Sequence, residues 1–395
     1  MEVKRIKFIN PNEYGSLLYG EEENEAILNV MKERRIFRYS RTKYPYTEWF
    51  ENEICKKFKT KYCLGVINGT AGLITALKAI NIGANDKVLV SSYTYIATAL
   101  AVKLSGGIPI PLNIDLKTGV DLEDLKSKID NSCKAVIVTH LQGRCFDLST
   151  IKEFLKSKGI YLIEDACQGF AANCNGVYSG TFGDIGVYSF QQFKQISSGE
   201  GGAIVTNNKE IYDKARNYTD MGSVRDRFPN WNSENCLLGQ NYRMNNLTGA
   251  ILFEQLKKLD YMIEKQQASR KCIFQQISEK VKIKNYINSV CPNGDTGMNI
   301  IIQINKEYNI ENVMKNVKEK HNVELRKMWN GLYFENELFK KEHLTDKDFR
   351  IRDCSFTKDI ISQMLVISIP PILTKNDENT IAKVLMDLKN DNIIE

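Results

Sequence analysis

Histidine is scarce in this chain. His140, His321 and His343 are the only three among 395 residues, which argues against chemistry built on several histidines. The ten cysteines are scattered, with no CxxC pair and no His/Cys cluster. That pattern argues against a structural zinc site and against a secreted disulfide framework, so reduced thiols in a cytoplasmic protein are expected. No apolar run approaches the roughly 18 residues needed to span a bilayer. The opening residues MEVKRIKFINPNEYGS lack the apolar core of a signal peptide. No basic arm, internal repeat or low-complexity segment is present, so neither a membrane nor a nucleic acid is an expected partner. The net charge of +6 is spread along the chain, as on an ordinary solvated surface. It leaves room for a mildly basic cleft that takes a phosphorylated ligand.

What is present is alternation. From about Cys63 to Asn208, short apolar runs (CLGVI, KVLVSS, IPIPLNI, KAVIVTH, IYLIED, DIGVYSF, GGAIVTN) are separated by turns and helical stretches. Runs of this length and β-branched content read as strands buried on both faces, as in a parallel sheet. The pattern predicts an α/β fold with a largely parallel, seven-stranded sheet flanked by helices. Residues 1–50 read as an arm and a helix, EEENEAILNVMKE. Residues 246–268 read as one long helix. After it the chain changes character, and residues 261–395 are expected to form a smaller C-terminal α+β domain beside a large domain of residues 1–260.

Four stations carry chemistry, and each has a plainer reading. Asn68-Gly69-Thr70-Ala71-Gly72 follows a strand and opens a helix, which makes an anion site from backbone N–H groups, or only a strand-to-helix turn. Asp165 and Gln168 stand at the end of the strand IYLIED, where ligands of open α/β sheets bind; Asp165 could hold a protonated ring nitrogen, or simply cap a helix. Lys194 lies between the strand GVYSF and the Gly-rich turn SSGEGG. Desolvation there would free its amine for Schiff-base chemistry, whereas most lysines are solvated surface groups. Ser92-Tyr93-Thr94-Tyr95 places an aromatic at a strand end, able to stack on a planar ring or to serve as core.

Taken together, NGTAGL, SYTYIATA, VTHLQG, IEDACQ, GTFGDIGVYSF, Lys194 with GEGGAIVTN five residues on, and GQNYRMNNLTGAI resemble the DegT/DnrJ/EryC1/StrS sugar aminotransferases. The resemblance runs from about Phe37 to Asp260 and thins beyond. It implies the aspartate-aminotransferase fold, fold type I of the pyridoxal 5'-phosphate (PLP) enzymes. It also implies roles. Lys194 would carry the cofactor and move the proton, and Asp165 would bind the ring nitrogen. Gln168 would meet the ring hydroxyl, and Tyr95 would stack on the ring. Gly69, Thr70, Ala71 and Ser189 would hold the phosphate. Asn241 would reach the phosphate of a neighbouring subunit, so a homodimer with shared sites is expected. Arg243, in the same loop, and His140, at a strand end, are candidates for substrate contact. Relatives that carry histidine at the position of Lys194 perform dehydration, so amino transfer is the expected branch. A PLP-dependent sugar dehydratase or epimerase, or a silent regulator with the same fold, are the other readings.

The family habit is an amino group passed from glutamate or glutamine to a nucleotide-linked keto sugar in surface glycan synthesis. ERRIFRYSRTKYPYTEWFE near the N-terminus and VELRKMWNGLYFENELFKK in the C-terminal part depart from the common pattern. They are similar to members that act on free or acidic keto sugars and keto-cyclitols, one branch of which aminates an eight-carbon ulosonic acid. A carboxylate on the substrate would suit Arg38, Arg225 or Arg326.

Overall fold

A computed structural model describes residues 13–116, 118–225, 228–278, 291–327, 331–341 and 354–395. The N-terminal arm before Glu13 and the Trp329-Asn330 pair of the C-terminal loop lie outside these residues.

Two helices, α1 (Glu21–Glu33) and α2 (Tyr46–Phe58), precede the sheet region. Strands and helices then alternate: β1 (Tyr62–Val66), α3 (Gly69–Ala79), β2 (Lys87–Ser91), α4 (Ile96–Leu104), β3 (Ile108–Leu112), α5 (Leu122–Lys128), β4 (Cys133–Thr139), α6 (Ser149–Lys158) and β5 (Tyr161–Asp165). A small hairpin, β6 (Asn173–Cys174) and β7 (Val177–Tyr178), separates β5 from β8 (Ile185–Ser189) and β9 (Gly202–Thr206). The seven apolar runs of the sequence become one seven-stranded sheet of order β1-β9-β8-β5-β4-β2-β3. Only β9 runs against the others, pairing antiparallel with both β1 and β8. The strands β4, β5, β8 and β9 are almost wholly buried because helices cover both faces, the usual condition of parallel strands.

Helix α7 (Lys209–Thr219) and a two-strand ribbon, β10 (Val224–Arg225) with β11 (Pro229–Asn230), lead to the 33-residue helix α8 (Asn246–Ser278). Leu252, Leu256, Leu259 and Met262 of α8 pack with Phe50, Ile54 and Phe190. Ile273 and Ile277, further along the same helix, belong to a separate core. That second core is built on β12 (Asn299–Gln303), α9 (Ile310–His321), β13 (Met364–Ser368) and α12 (Lys375–Asn390), with β12 and β13 paired antiparallel. Between α9 and β13 the chain forms the short α10 (Glu337–Lys341), whose Phe339 packs into the sheet core instead, and α11 (Ser355–Ser362). The expected boundary at 260/261 falls inside α8.

The expectation of reduced thiols fails at one pair of cysteines. Cys174 of β6 and Cys291 are disulfide-bonded, with Cα atoms 5.2 Å apart. Their separation of 117 residues gave no spacing signal in the sequence. The other eight cysteines are free thiols. Among the described residues, no helix is long and apolar enough to cross a membrane.

Candidate active site

The C-terminal ends of the parallel strands converge on a cavity of about 630 Å³. Such edges collect ligand-binding groups because loops leave the sheet there and helices begin there. Gly69 and Thr70 after β1, Tyr95 after β2, Thr139 of β4, Asp165 and Gln168 from β5, and Ser189 of β8 all line it. Lys194 joins them from the loop between β8 and β9.

The anion end is built by α3. Its N-cap Asn68 accepts a hydrogen bond from the Ala71 N–H at 2.8 Å. The N–H groups of Gly69 and Thr70 make no hydrogen bond among the described residues, and the positive end of the helix dipole sits with them. A Cβ at position 69 would lie 2.9 Å from both Cys167 Sγ and Ser189 Cβ, so glycine is what lets backbone and cavity meet. Ala71, expected among the phosphate contacts, does not line the cavity, and its N–H is already committed to Asn68.

Asp165 is 4 % exposed. Its Oδ2 accepts from Thr98 Oγ1 at 2.7 Å and its Oδ1 from the Cys167 N–H at 3.2 Å. Thr98 continues a chain of hydroxyls through Thr94 at 2.8 Å to Thr139 at 2.9 Å. A carboxylate can accept about four hydrogen bonds, so Asp165 has acceptor capacity left toward the cavity. Burial and the neighbouring Asp165 push the Cys167 thiol well above its ordinary value, and the Lys194 ammonium opposes them. The acid, the thiol and the amine therefore share one electrostatic environment.

Lys194 is held by a loop that closes on itself. Phe190 N–H donates to Gly201 O at 2.8 Å, Gln192 N–H to Gly199 O at 3.0 Å, and Ser198 N–H to Phe190 O at 3.0 Å. Gly199 adopts a φ of +79°, which a glycine tolerates without strain. The Lys194 amine has no hydrogen-bond partner among the described residues. Tyr95 is 57 % exposed and presents its ring at the cavity.

The candidate substrate residues separate sharply. Arg326 lines the cavity. Arg38 does not. Its guanidinium is buried against Glu51 at 2.6 Å; burial opposes the charge, but the carboxylate more than offsets that and raises its pKa overall. Arg225 and Arg243 also lie off the cavity lining, both paired with the buried Asp220 and set over Phe37. His140 is fully buried rather than bordering the cleft. Its Nδ1 accepts from the Phe146 N–H at 3.2 Å, so Nε2 carries the proton shared with Glu164 at 2.7 Å. Asn241 is exposed and lies outside the cavity lining of its own chain.

Sequence reasoning missed Thr98, Tyr14 and Asn299. Thr98 was findable, since it follows Thr94 by one helical turn in TYIAT. Tyr14 and Asn299 carry no local signal, because only the tertiary fold brings them to the cavity.

The residues fit a pyridoxal phosphate. A buried acid suits the ring nitrogen, free helix N-terminal donors and a glycine cradle suit the phosphate, and an unpaired lysine suits the aldehyde. GDP-perosamine synthase of Escherichia coli O157:H7 is 37 % identical over 223 residues, covering 56 % of this chain and 60 % of that protein. The L-glutamine:2-deoxy-scyllo-inosose aminotransferase of Streptomyces kanamyceticus is 32 % identical over 228 residues, 55 % of this chain and 53 % of that one. The chain thus matches about 60 % or less of the length of these curated relatives. An aminotransferase from Psychrobacter cryohalolentis superposes with a TM-score of 0.82 at 23 % identity, covering 95 % of this chain and 98 % of that one. The Bacillus subtilis protein NtdA, solved with bound cofactor PMP, gives 0.81 at 24 % identity over 95 % and 84 % of the two chains. These likenesses establish the shared fold, that of the fold-type-I PLP aminotransferases. The model of the DegT/DnrJ/EryC1/StrS aminotransferase family matches residues 18–386, and the protein belongs to that family.

Proposed function

We propose that the protein is a PLP-dependent aminotransferase that passes an amino group from glutamate or glutamine to a keto sugar. The sugar is nucleotide-linked, or free and acidic like an ulosonic acid, and the setting is surface glycan synthesis. One observation carries the reading: an unpaired lysine amine and a buried, half-satisfied carboxylate face the same cavity beside free helix N-terminal donors.

When bound, the cofactor supplies an electron sink for the carbon that loses its proton. Asp165 keeps a positive charge at the ring nitrogen, and the hydroxyl chain from Thr139 orients that carboxylate. Gly69 and Thr70 N–H groups, with Ser189, bind the phosphate. Tyr95 and Gln168, which line the cavity, would hold the ring. Lys194 would hold the cofactor at its aldehyde carbon, and its Nζ would be the group that takes and returns the migrating proton. In this reading residues 1–260 hold the cofactor, and residues 261–395 form the smaller domain that supplies another wall. Asn241, exposed on its own chain, serves the cavity of a second copy in a homodimer. The relatives that transfer amino groups to sugars and cyclitols support the reaction class, and Lys194 favours transfer over dehydration.

Borohydride reduction of the PLP-treated protein, followed by peptide mapping, tests the reading. The adduct is expected on Lys194. No uptake of PLP, or an adduct on another side chain, overturns it.

A further inference from the structure

Arg326 differs from the other arginines in its company. Its Nε donates to Ser368 Oγ at 3.1 Å, and its Nη2 donates to Asn299 Oδ1 at 3.1 Å and Gln142 Oε1 at 3.5 Å. All three of these partners among the described residues are neutral. Its Nη1 makes no hydrogen bond among the described residues. A guanidinium on a cavity wall with no counter-ion among the described residues is matched to a carboxylate, which takes its N–H groups in a charge-assisted pair.

Asn299 shows that this aim is maintained against local preference. It is 5 % exposed, and its Oδ1 accepts both Arg326 Nη2 and the Tyr14 hydroxyl, the latter at 3.0 Å. An arginine only donates, so the amide oxygen must face it. The amide Nδ2 is then left buried with no partner, a condition native interiors avoid. Turning the amide would set N–H against N–H at Arg326. Tyr14 is 2 % exposed, and Gly15 beside it donates to the Lys194 carbonyl at 3.3 Å. One segment therefore braces both the lysine loop and the holder of the arginine.

We infer that Arg326 is the receptor for a substrate carboxylate, with Asn299 and Tyr14 as positioning residues that aim it. The inference rests on the aminotransferase reading. The carboxylate comes either from the amino donor or from an acidic keto sugar.

The test uses the full chain loaded with PLP. In the donor arm, glutamate, its α-amide and its γ-amide (glutamine) are compared in single turnovers without acceptor, followed by visible absorbance. In the acceptor arm, the aminated protein is offered a neutral and an acidic keto sugar. Arg326→Gln is expected to raise the half-saturating concentration of the carboxylate-bearing partner about 100-fold, with the limiting rate within about threefold. Asn299→Ala is expected to give about 10-fold and Tyr14→Phe about 3-fold in the same direction, a binding split that a general loss of structure would not produce. Arg326→Lys recovers part of the loss. The arm that responds names the source of the carboxylate. If Arg326→Gln and Asn299→Ala load PLP fully and leave both arms within about twofold of the parent, less than one charge-assisted hydrogen bond is worth, the inference is overturned. A parent that takes up no PLP overturns the underlying reading instead, and cofactor loading tells the two failures apart.

Discussion

Glu164 and Asp165 are consecutive, both are carboxylates, and both are buried, yet they serve two regions with opposite characters. Glu164 lies beneath the cavity. It is fully enclosed and accepts from His140 Nε2 at 2.7 Å, Gly180 N–H at 2.7 Å and Gly183 N–H at 2.5 Å. Asp165 points to the cavity side because successive residues of a strand face opposite ways. Among the described residues it accepts from two protein donors. Three donors lock a carboxylate into the scaffold, whereas two leave it open to a ligand. The arginines divide in the same manner. Arg38, Arg225 and Arg243 have carboxylate partners, while Arg326 has neutral ones. Burial alone does not mark a functional charge; unspent hydrogen-bonding capacity facing a cavity does.

The largest effect should come from Lys194→Ala. Removing the amine takes away both the covalent tether and the proton carrier, so amino transfer should fall by about 10⁴-fold or more. PLP should then dialyse out, as absorbance would show, while the melting temperature of the PLP-free protein stays near that of the parent. Next is Asp165→Asn, which keeps an acceptor for the Cys167 N–H and turns an amide N–H to the Thr98 hydroxyl, which can accept it, but removes the charge. We expect kcat to fall by about 10²- to 10³-fold with little change in urea resistance. A variant that unfolds instead would place Asp165 with Glu164 and erase the distinction between them.

Much of the Asp165 region was legible because its residues follow strands within a few positions. A buried apolar run ends, the chain turns, and the chemistry is the next thing written, as in NGTAG after β1 and EDACQ at β5. The periodicity that reveals the strand therefore locates the site. The opposite wall was not legible. Tyr14 and Asn299 stand 285 residues apart and are joined by one hydrogen bond, which no pattern in either segment announces. Arg38, Arg243 and His140 drew attention as charged or titratable residues near good motifs. Sequence does not show that Glu51, Asp220 and Glu164 already engage them.

The Glu164 region makes the reverse prediction. Glu164→Gln presents an amide N–H to donors that need an acceptor, leaving buried groups unpaired. We expect a loss of about 3 kcal/mol of unfolding free energy, measured by urea titration. Turnover per folded molecule should stay within about threefold, since a side chain spent on His140, Gly180 and Gly183 has nothing left for a substrate. A large fall in kcat at full stability would mean that Glu164 and His140 reach the chemistry after all.

The smallest effect is expected at Asp220, whose carboxylate serves two arginines at once. Burial raises its pKa, but the paired Arg225 and Arg243 outweigh that and hold it below the ordinary carboxylate value. A folded pKa below the unfolded one gives stability that is complete above the unfolded value, about 3.9, and is lost as pH falls through the folded value. Asp220→Asn should therefore cost about 1–2 kcal/mol at pH 7, less than Glu164→Gln because both arginines keep their contact with Phe37. The difference between variant and parent should begin to shrink below about pH 4, where Asp220 of the unfolded parent takes up its proton, and should close as pH falls through the lower folded value. Urea midpoints at pH 7, 5 and 3 would show this convergence. If the variant instead keeps its stability and loses affinity for a substrate, then Arg225 and Arg243 belong with Arg326, and carboxylate pairing within the chain fails as the criterion that separates scaffold from site.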